Sequence, residues 1–378
     1  MKRDLFIGLL SGTSMDGIDA GLVDFDTSSH PKLIASRMHP MPMELRERLM
    51  LICADNGKDY VDELAKLDAL LGHAFAEAAI ALIKQTDFQF TDIRAIGTHG
   101  QTIRHRPTNH TPFTLQIADP NIIAERTGIT TIADFRRRDM AAGGQAAPLV
   151  PAFHQAVFQN TTITRVVINI GGISNITILP AKSESQSNNR IIGFDTGPGN
   201  VLLDTWAKIH LGAPMDEHGR WAKQGKSDPR LLERLCSDRY FSMPPPKTTG
   251  REWFNLDWLE KCIADVTPLP PPVDVQRTLC DLTVTTLRDA ILNHAPTCQE
   301  VLICGGGSRN PMLTYGLKTH LPDCLVDTTT YYSIDPDWVE AMAFAWLARQ
   351  RLYGLPGNIP SVTGARHSVV LGAIYPGR

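Results

Sequence analysis

One carboxylate and three glycine turns hold most of the chemistry legible in this chain. Asp195 follows the apolar run Ile191, Ile192, Gly193, Phe194 and precedes Thr196, Gly197, Pro198 and Gly199. That order predicts a strand end with the carboxylate directed into a cleft, where a general base belongs. Aspartate also caps helices and ties turns, and a helix is expected to begin near Asn200; five residues of separation make capping awkward. The turns lie in residues 6–19 (FIGLLSGTSMDGID), 166–178 (VVINIGGISNITI) and 301–310 (VLICGGGSRN), where glycines interrupt or end runs of β-formers. Glycine accepts positive φ and lets backbone N–H groups close on an anion such as phosphate. Three such turns point to one nucleotide gripped from two sides.

The elements that must carry these residues repeat. Strands are predicted at residues 5–10, 18–25 and 33–38, then a helix at 61–84 with Leu64, Leu67, Leu71, Phe75 and Leu82 at helical spacing, then a strand at 95–98. The second half offers strands at 165–170, 175–179 and 190–194, a helix near 201–210 and a later strand at 301–304. Met twice, this is a duplicated α/β unit, with a ligand cleft expected between the copies. Residues 213–275 form an insertion in the second copy, with proline runs at 244–246 and 270–272 and an amphipathic stretch at 256–263. It is expected to be an ordered segment over or beside the site. Helices are expected at 275–294 and at 336–351, where small residues suit close packing, and residues 369–374 are expected to return to the first lobe as a strand. The lobes are drawn as residues 1–133 with about 355–378, and residues 134–354.

Composition sets the class. A chain of 378 residues with 43% hydrophobic content exceeds one ordinary core. Its net charge of -3 argues against nucleic acid as partner. Arg136, Arg137 and Arg138 form a basic cluster followed at once by Asp139, read as a solvated loop or as a holder of an acidic ligand. The seven cysteines show no CxxC spacing and read as thiols of a reducing compartment. The opening apolar run is too short for a signal peptide, and no run approaches the roughly 20 residues of a membrane span. A cytoplasmic enzyme with no membrane partner is expected.

The duplicated unit, its phosphate hairpins and its GGGSxN turn resemble the sugar kinase, heat-shock protein and actin superfamily. Within it, SGTSMDGID at 11–19, GTHGQT at 97–102, DFRRRDMAAGGQAAPLVP at 134–151, GFDTGPGN at 193–200 and PPPKTTGRE at 244–252 resemble the anhydro-N-acetylmuramic acid kinase family. Five ordered segments are far more specific than any one glycine turn. The resemblance implies an α/β fold of duplicated actin-like (ribonuclease H-like) domains with an inter-lobe active-site cleft. It also implies a homodimer that cleaves the internal ether of 1,6-anhydro-N-acetylmuramic acid while phosphorylating its 6-oxygen, using ATP and water in bacterial cell-wall recycling.

That chemistry assigns roles. The 6-oxygen already carries two carbons, so its anomeric bond must break as the phosphoryl group arrives, and water must add to the anomeric carbon as in an inverting glycosidase. The phosphoryl group replaces a glycosidase's acid, which leaves one base to find, and the resemblance gives that role to Asp195. Nucleotide contacts are expected from Ser11, Gly12, Thr13, Ser14, Met15, Asp16, Gly17, Ile18 and Asp19 on the first hairpin, and from Gly171, Gly172 and Ser174 on the second. Gly305, Gly306, Gly307 and Asn310 match an adenosine turn, with Asn310 beginning a helix. Mg²⁺ is expected with ATP. Leu10 stands where sugar kinases commonly have an aspartate, and Asp16 or Asp19 could compensate, although both also suit a turn. No direct metal ligand is named, and no HExxH spacing points to zinc. Thr98, His99, Gln101 and Asp134 are the sugar-binding candidates, His99 being equally readable as a structural histidine. The lactyl carboxylate is left to one of Arg136 to Arg138 or to backbone at Gly143 and Gly144. A kinase of an ordinary hexose or amino sugar, and an actin-like ATP switch without a small substrate, are the competing readings.

Overall fold

The computed structural model describes residues 3–12, 15–26, 31–53, 60–184 and 190–378. It divides into two compact units, Met1–Phe153 with Trp338–Arg378, and His154–Asp337.

In the first unit, leucine- and isoleucine-rich β1 (Leu5–Leu10) is buried along its whole length, as a central strand must be. It pairs antiparallel with β2 (Gly17–Asp24), which pairs antiparallel with β3 (Lys32–Pro40). On its other side β1 runs parallel to β4 (Ile93–Thr98). The hairpin of β5 (Gln101–Arg106) and β6 (Phe113–Ile117) follows. Next, β7 (Thr131–Ala133) runs parallel to β4. The second unit supplies β8 (Arg165–Ile170), β9 (Ile173–Leu179), β10 (Ile192–Pro198), β11 (Glu300–Cys304) and β12 (Leu325–Thr328). Finally β13 (Ala373–Tyr375) joins the first sheet beside β7.

The two sheets are ordered β13-β7-β4-β1-β2-β3 and β10-β9-β8-β11-β12. In the second, β8 and β9 and then β9 and β10 are antiparallel, while β11 is parallel to both β8 and β12. Strand for strand, β8-β9-β10-β11-β12 repeats β1-β2-β3-β4-β7, the duplicated α/β unit that the repeat in the sequence predicts. The crossover helix differs from expectation. Val61–Lys84 packs on β2 and β3, and the helix that takes the same place on β9 and β10 is Pro272–His294, not the one directly after β10. Asn200–Leu211 is an additional helix beside it. The insertion joins the core: Leu231, Leu235, Leu259 and Cys262 are buried in one cluster with Val166, Ile168 and Leu279.

The unit boundaries also differ from the sequence reading. Residues 134–153 and the helix Val339–Leu352 lie in the first unit, where the helix packs on β1, β2 and β4. Strand alternation explains why it fits. Ile7 and Leu9 of β1 enter the cluster formed with Val61–Lys84, and Gly8 between them faces the opposite helix. A Cβ on Gly8 would overlap the carbonyl oxygen of Ala341 and lie 2.7 Å from the amide nitrogen of Ala345, and one on Gly97 would overlap the Phe344 carbonyl. The helix therefore rests backbone against strand. The small residues of 341–348 signal such packing, but not which sheet receives it. The final strand does return to the first sheet, shortened to three residues. Among the described residues, no helix is long and apolar enough to cross a membrane.

Gly8→Ala forces the helix off β1. Urea unfolding should show a loss of at least the roughly 1–3 kcal/mol typical of an overpacked core. An unchanged midpoint would show that the helix is not seated there.

Candidate active site

In the second unit the site is built around a break in strand pairing. Residues Ile192 to Asp195 pair regularly with Ile178 to Asn175, after which the register slips so that Gly197 faces Ser174. Thr196 is the extra residue of this bulge, a device that bends a strand end and re-aims its side chains. Its hydroxyl donates to the Ser174 carbonyl at 3.1 Å. Asp195 is then held from three directions. Its N–H donates to the Lys247 carbonyl at 3.2 Å, its carbonyl accepts the Tyr240 hydroxyl at 2.7 Å, and its Oδ2 accepts the Thr249 N–H at 3.0 Å. Helix Asn200–Leu211 has Gly199 at its N-cap and no side-chain cap, so the capping reading of Asp195 fails.

The residues that hold Asp195 come from the insertion. Lys247 is buried, and its ammonium donates to the carbonyls of Tyr240 and Phe241 at 3.0 and 3.2 Å. It also lies 4.7 Å from the Tyr240 ring centre and 5.7 Å from that of Phe194. Burial pushes the Lys247 pKa down. Burial, and then the charge of Asp195, pushes that of Tyr240 up, so the phenol stays a donor. The PPPKTTGRE segment is visible in the sequence, but its contacts to Asp195 use backbone groups and carry no side-chain signature.

The second hairpin and the GGGSxN turn meet beside this bulge. The carbonyl of Gly171 accepts the Asn200 N–H at 2.8 Å, and that of Gly172 accepts Gly199 and Val201 at 2.9 and 3.0 Å. The turn's acceptors are thus occupied by the helix start. Asn200 also donates its side-chain amide to the Ile170 carbonyl at 3.1 Å. Gly305, at φ +80°, and Gly307 pack so closely on Asn169 and Ile170 that a Cβ on either would overlap them. Gly306 differs: its nearest such neighbour is the Asn200 amide nitrogen at 3.9 Å, so its Cα faces open space. Two nucleotide candidates sit within the fold's own packing and caps. Ser174 is fully buried, its hydroxyl unpartnered, and does not reach a surface. Asn310 spends its side-chain oxygen as N-cap of Pro311–His320, accepting the Met312 N–H at 3.0 Å.

In the first unit, Thr13 and Ser14 lie outside the described residues. Ser11 is buried with an unpartnered hydroxyl, Gly12 is half-buried and Asp16 is exposed. The turn is shorter than the nine residues named for it. Gly17, Ile18 and Asp19 already pair with Pro40, His39 and Met38 of β3. The Ile18 and Met15 side chains belong to the core, so their nucleotide assignment survives only for backbone groups.

The sugar candidates separate into two groups. Thr98 and Gln101 are buried at the β4–β5 turn, where the Thr98 hydroxyl accepts the Gly100 N–H at 3.3 Å and Gln101 Oε1 lacks a partner. Arg136 joins them by donating from Nε to His99 Nε2 at 2.9 Å and from Nη1 to the Ala146 carbonyl at 2.6 Å. Asp134 is instead ion-paired to Arg137 at 2.6 Å and lines a shallow cleft with Arg138, Arg351 and His367. It makes no hydrogen bond to Thr98, His99 or Gln101 among the described residues.

The Arg136 contact fixes the chemistry of His99. A guanidinium only donates, so Nε2 must be the unprotonated nitrogen, and the ring proton sits on Nδ1, 3.0 Å from the Gly100 carbonyl. Burial, and then the Arg136 charge, pushes the His99 pKa down to about 3. It is neutral in the folded chain, with one proton on Nδ1 and none on Nε2 near neutrality. Because the folded value lies below the unfolded one, the stability this neutral ring contributes is present above about pH 6.5 and is lost as pH falls toward 3. Nitrogen-15 spectra should show His99 as the neutral Nδ1–H tautomer from pH 8 down to about 5; a titration near 6.5 would overturn the assignment.

Among the described residues, no group of three or more His, Cys, Asp or Glu could hold a metal ion.

The family model for anhydro-N-acetylmuramic acid kinase matches residues 4–377. The anhydro-N-acetylmuramic acid kinase of Xylella fastidiosa is 50% identical over 375 residues, covering 98% of this chain and 96% of the relative. That of Saccharophagus degradans is 50% identical over 379 residues, covering 99% and 100%. The Vibrio cholerae enzyme is 47% identical over 375 residues, covering 99% of each. The chain belongs to the anhydro-N-acetylmuramic acid kinase family.

Proposed function

We propose that this chain is a cytoplasmic, homodimeric, ATP-dependent kinase that hydrolytically opens 1,6-anhydro-N-acetylmuramic acid, giving N-acetylmuramic acid 6-phosphate and ADP in cell-wall recycling. What carries the reading is the family match along residues 4–377, which spans every segment named above.

The reaction sets the tasks of the residues. As the 6-oxygen bonds to the γ-phosphorus, the bond from that phosphorus to the β–γ bridging oxygen breaks and its electron pair leaves with ADP, while the bond from the 6-oxygen to the anomeric carbon breaks and its electron pair stays with the 6-oxygen. Water adds to that carbon, and Asp195 takes the water's proton. The bulge and the Thr249 N–H support this role by giving the carboxylate one fixed orientation. Glycines of the 171–172 turn and of the first hairpin would offer N–H groups to the β- and γ-phosphates, and Gly306 the open surface for the purine. Thr98, His99, Gln101 and Asp134 are proposed around the sugar. Of these, His99 has a partner on each ring nitrogen and Asp134 is paired with Arg137, so each would meet the sugar with those partners in place. Mg²⁺ would neutralise phosphate charge, with the carboxylates of Asp16 and Asp19 as the nearest oxygen donors in the first hairpin's sequence.

Turnover in oxygen-18 water decides between this reading and phosphorylation of an ordinary hydroxyl. The proposed reaction places one label on the anomeric carbon of the phosphorylated product, once slow exchange of the free anomeric hydroxyl is subtracted; absence of label overturns it. Asp195→Asn should lower turnover by roughly 10²–10⁴-fold. A second test concerns Gly306. Gly306→Leu fills open space and should raise the KM for ATP by about tenfold or more while leaving the melting temperature nearly unchanged, since loss of about 1.4 kcal/mol of binding corresponds to tenfold. An unaltered KM would remove the purine from this turn.

A further inference from the structure

We propose that Lys247 is a positioning residue for Asp195, acting through the two backbone segments its ammonium ties together. This rests on the reading of Asp195 as the base. The geometry is a closed loop of contacts within the second unit. Lys247 Nζ binds the carbonyls of Tyr240 and Phe241, at the end of the short helix Arg239–Ser242. Tyr240, fixed at that end, donates its hydroxyl to the Asp195 carbonyl. Lys247's own carbonyl receives the Asp195 N–H, and two residues on the Thr249 N–H reaches Oδ2. One ammonium therefore sets both segments that grip Asp195 above and below, without itself bonding the carboxylate.

A buried lysine is an expensive way to join two carbonyls. Its charge is desolvated, as its lowered pKa shows, and it is partly compensated by the faces of Tyr240 and Phe194. An apolar side chain of similar length would fill the space but would take the donor from the Phe241 carbonyl, leave the Tyr240 carbonyl with the Met243 N–H alone, and remove the tie between the two segments. A general base must lie within hydrogen-bond reach of the proton it takes, and displacement by about 1 Å can lower the rate on the order of 10²-fold. Such a loss falls on the chemical step rather than on substrate binding.

The test is a double-mutant cycle between Lys247→Met and Asp195→Asn, read as kcat and KM for both substrates on folded protein of matched circular dichroism. Lys247→Met alone should lower kcat about 10–100-fold with either KM changed less than about threefold, and Lys247→Arg should recover part of the loss. In the Asp195→Asn background, Lys247→Met should produce no further loss, because the group it positions is already disabled. Should Lys247→Met not fold, Tyr240→Phe removes the hydroxyl contact alone and should show a smaller kcat loss with the same non-additivity. Fully additive losses, or a rise in KM with unchanged kcat, overturn the positioning role. If Asp195→Asn itself keeps near wild-type turnover, the base assignment fails, and the proposal with it.

Discussion

Backbone meeting backbone is the contact on which the second unit's site depends. The carbonyls of Gly171 and Gly172 receive the N–H groups of residues 199–201, and a Cβ on Gly199 would overlap the Gly171 oxygen. A side chain at that point would hold the helix start away from the hairpin. Because the contact is direct, the β8–β9 turn, the end of β10 and the start of Asn200–Leu211 form one rigid corner, and the bulge at Thr196 lies inside it. Asp195 inherits its direction from that corner. The same economy recurs where Gly8 and Gly97 let Val339–Leu352 settle on the first sheet. In both units, glycine marks where two elements must touch, and only some of those places face open space.

That distinction separates the glycines of the GGGSxN turn. Gly305 and Gly307 are required by the protein itself, pressed on Asn169 and Ile170, whereas a Cβ on exposed Gly306 would come no closer than 3.9 Å to any residue beyond its chain neighbours. A sequence presents all three as equivalent. Serine behaves similarly: Ser174 sits on the second hairpin in the sequence, yet it is sealed beneath Gly199 in the fold. Hydroxyl and glycine counts near a turn therefore overstate how many groups can meet a ligand.

What the sequence made legible follows the range of the forces involved. Strand runs and the duplicated order rest on local periodicity, and the α/β class follows from them, whereas the five segments spoke through their resemblance to a family; Asp195, expected at a strand end, lies inside Ile192–Pro198 beside the bulge. Long-range packing was not legible. The crossover helix of the second copy was read as residues 201–210 because it follows β10 directly, whereas the sheet is covered by Pro272–His294, which the insertion separates from it. The helix at 339–352 announced close packing through its alanines, but its glycine partners, Gly8 and Gly97, lie hundreds of residues earlier. Tyr240 and Lys247 escaped notice as supports of Asp195 because they are 45 and 52 positions away and act largely through main-chain atoms. Asp134 was placed with the sugar by its neighbours in the sequence, but an arginine three residues on takes its carboxylate.

The two halves of the candidate chemistry are stabilised by opposite electrostatic means. Around His99 burial and a cation act together to keep the ring neutral, so its Nε2 accepts from Arg136 while Nδ1 keeps the single proton. Around Asp195 a buried cation is kept one step away from the carboxylate: Lys247 bonds carbonyls, and the carboxylate receives a neutral N–H. Direct pairing with an ammonium would orient the carboxylate equally well, but it would depress its basicity, since an opposite charge within hydrogen-bond distance favours the ionised form. In the proposed reaction, where this carboxylate would take a proton from water, the neutral Thr249 N–H on Oδ2 depresses its basicity less than an ammonium would. An ammonium that holds the surrounding backbone, rather than the carboxylate, keeps orientation and basicity under separate control.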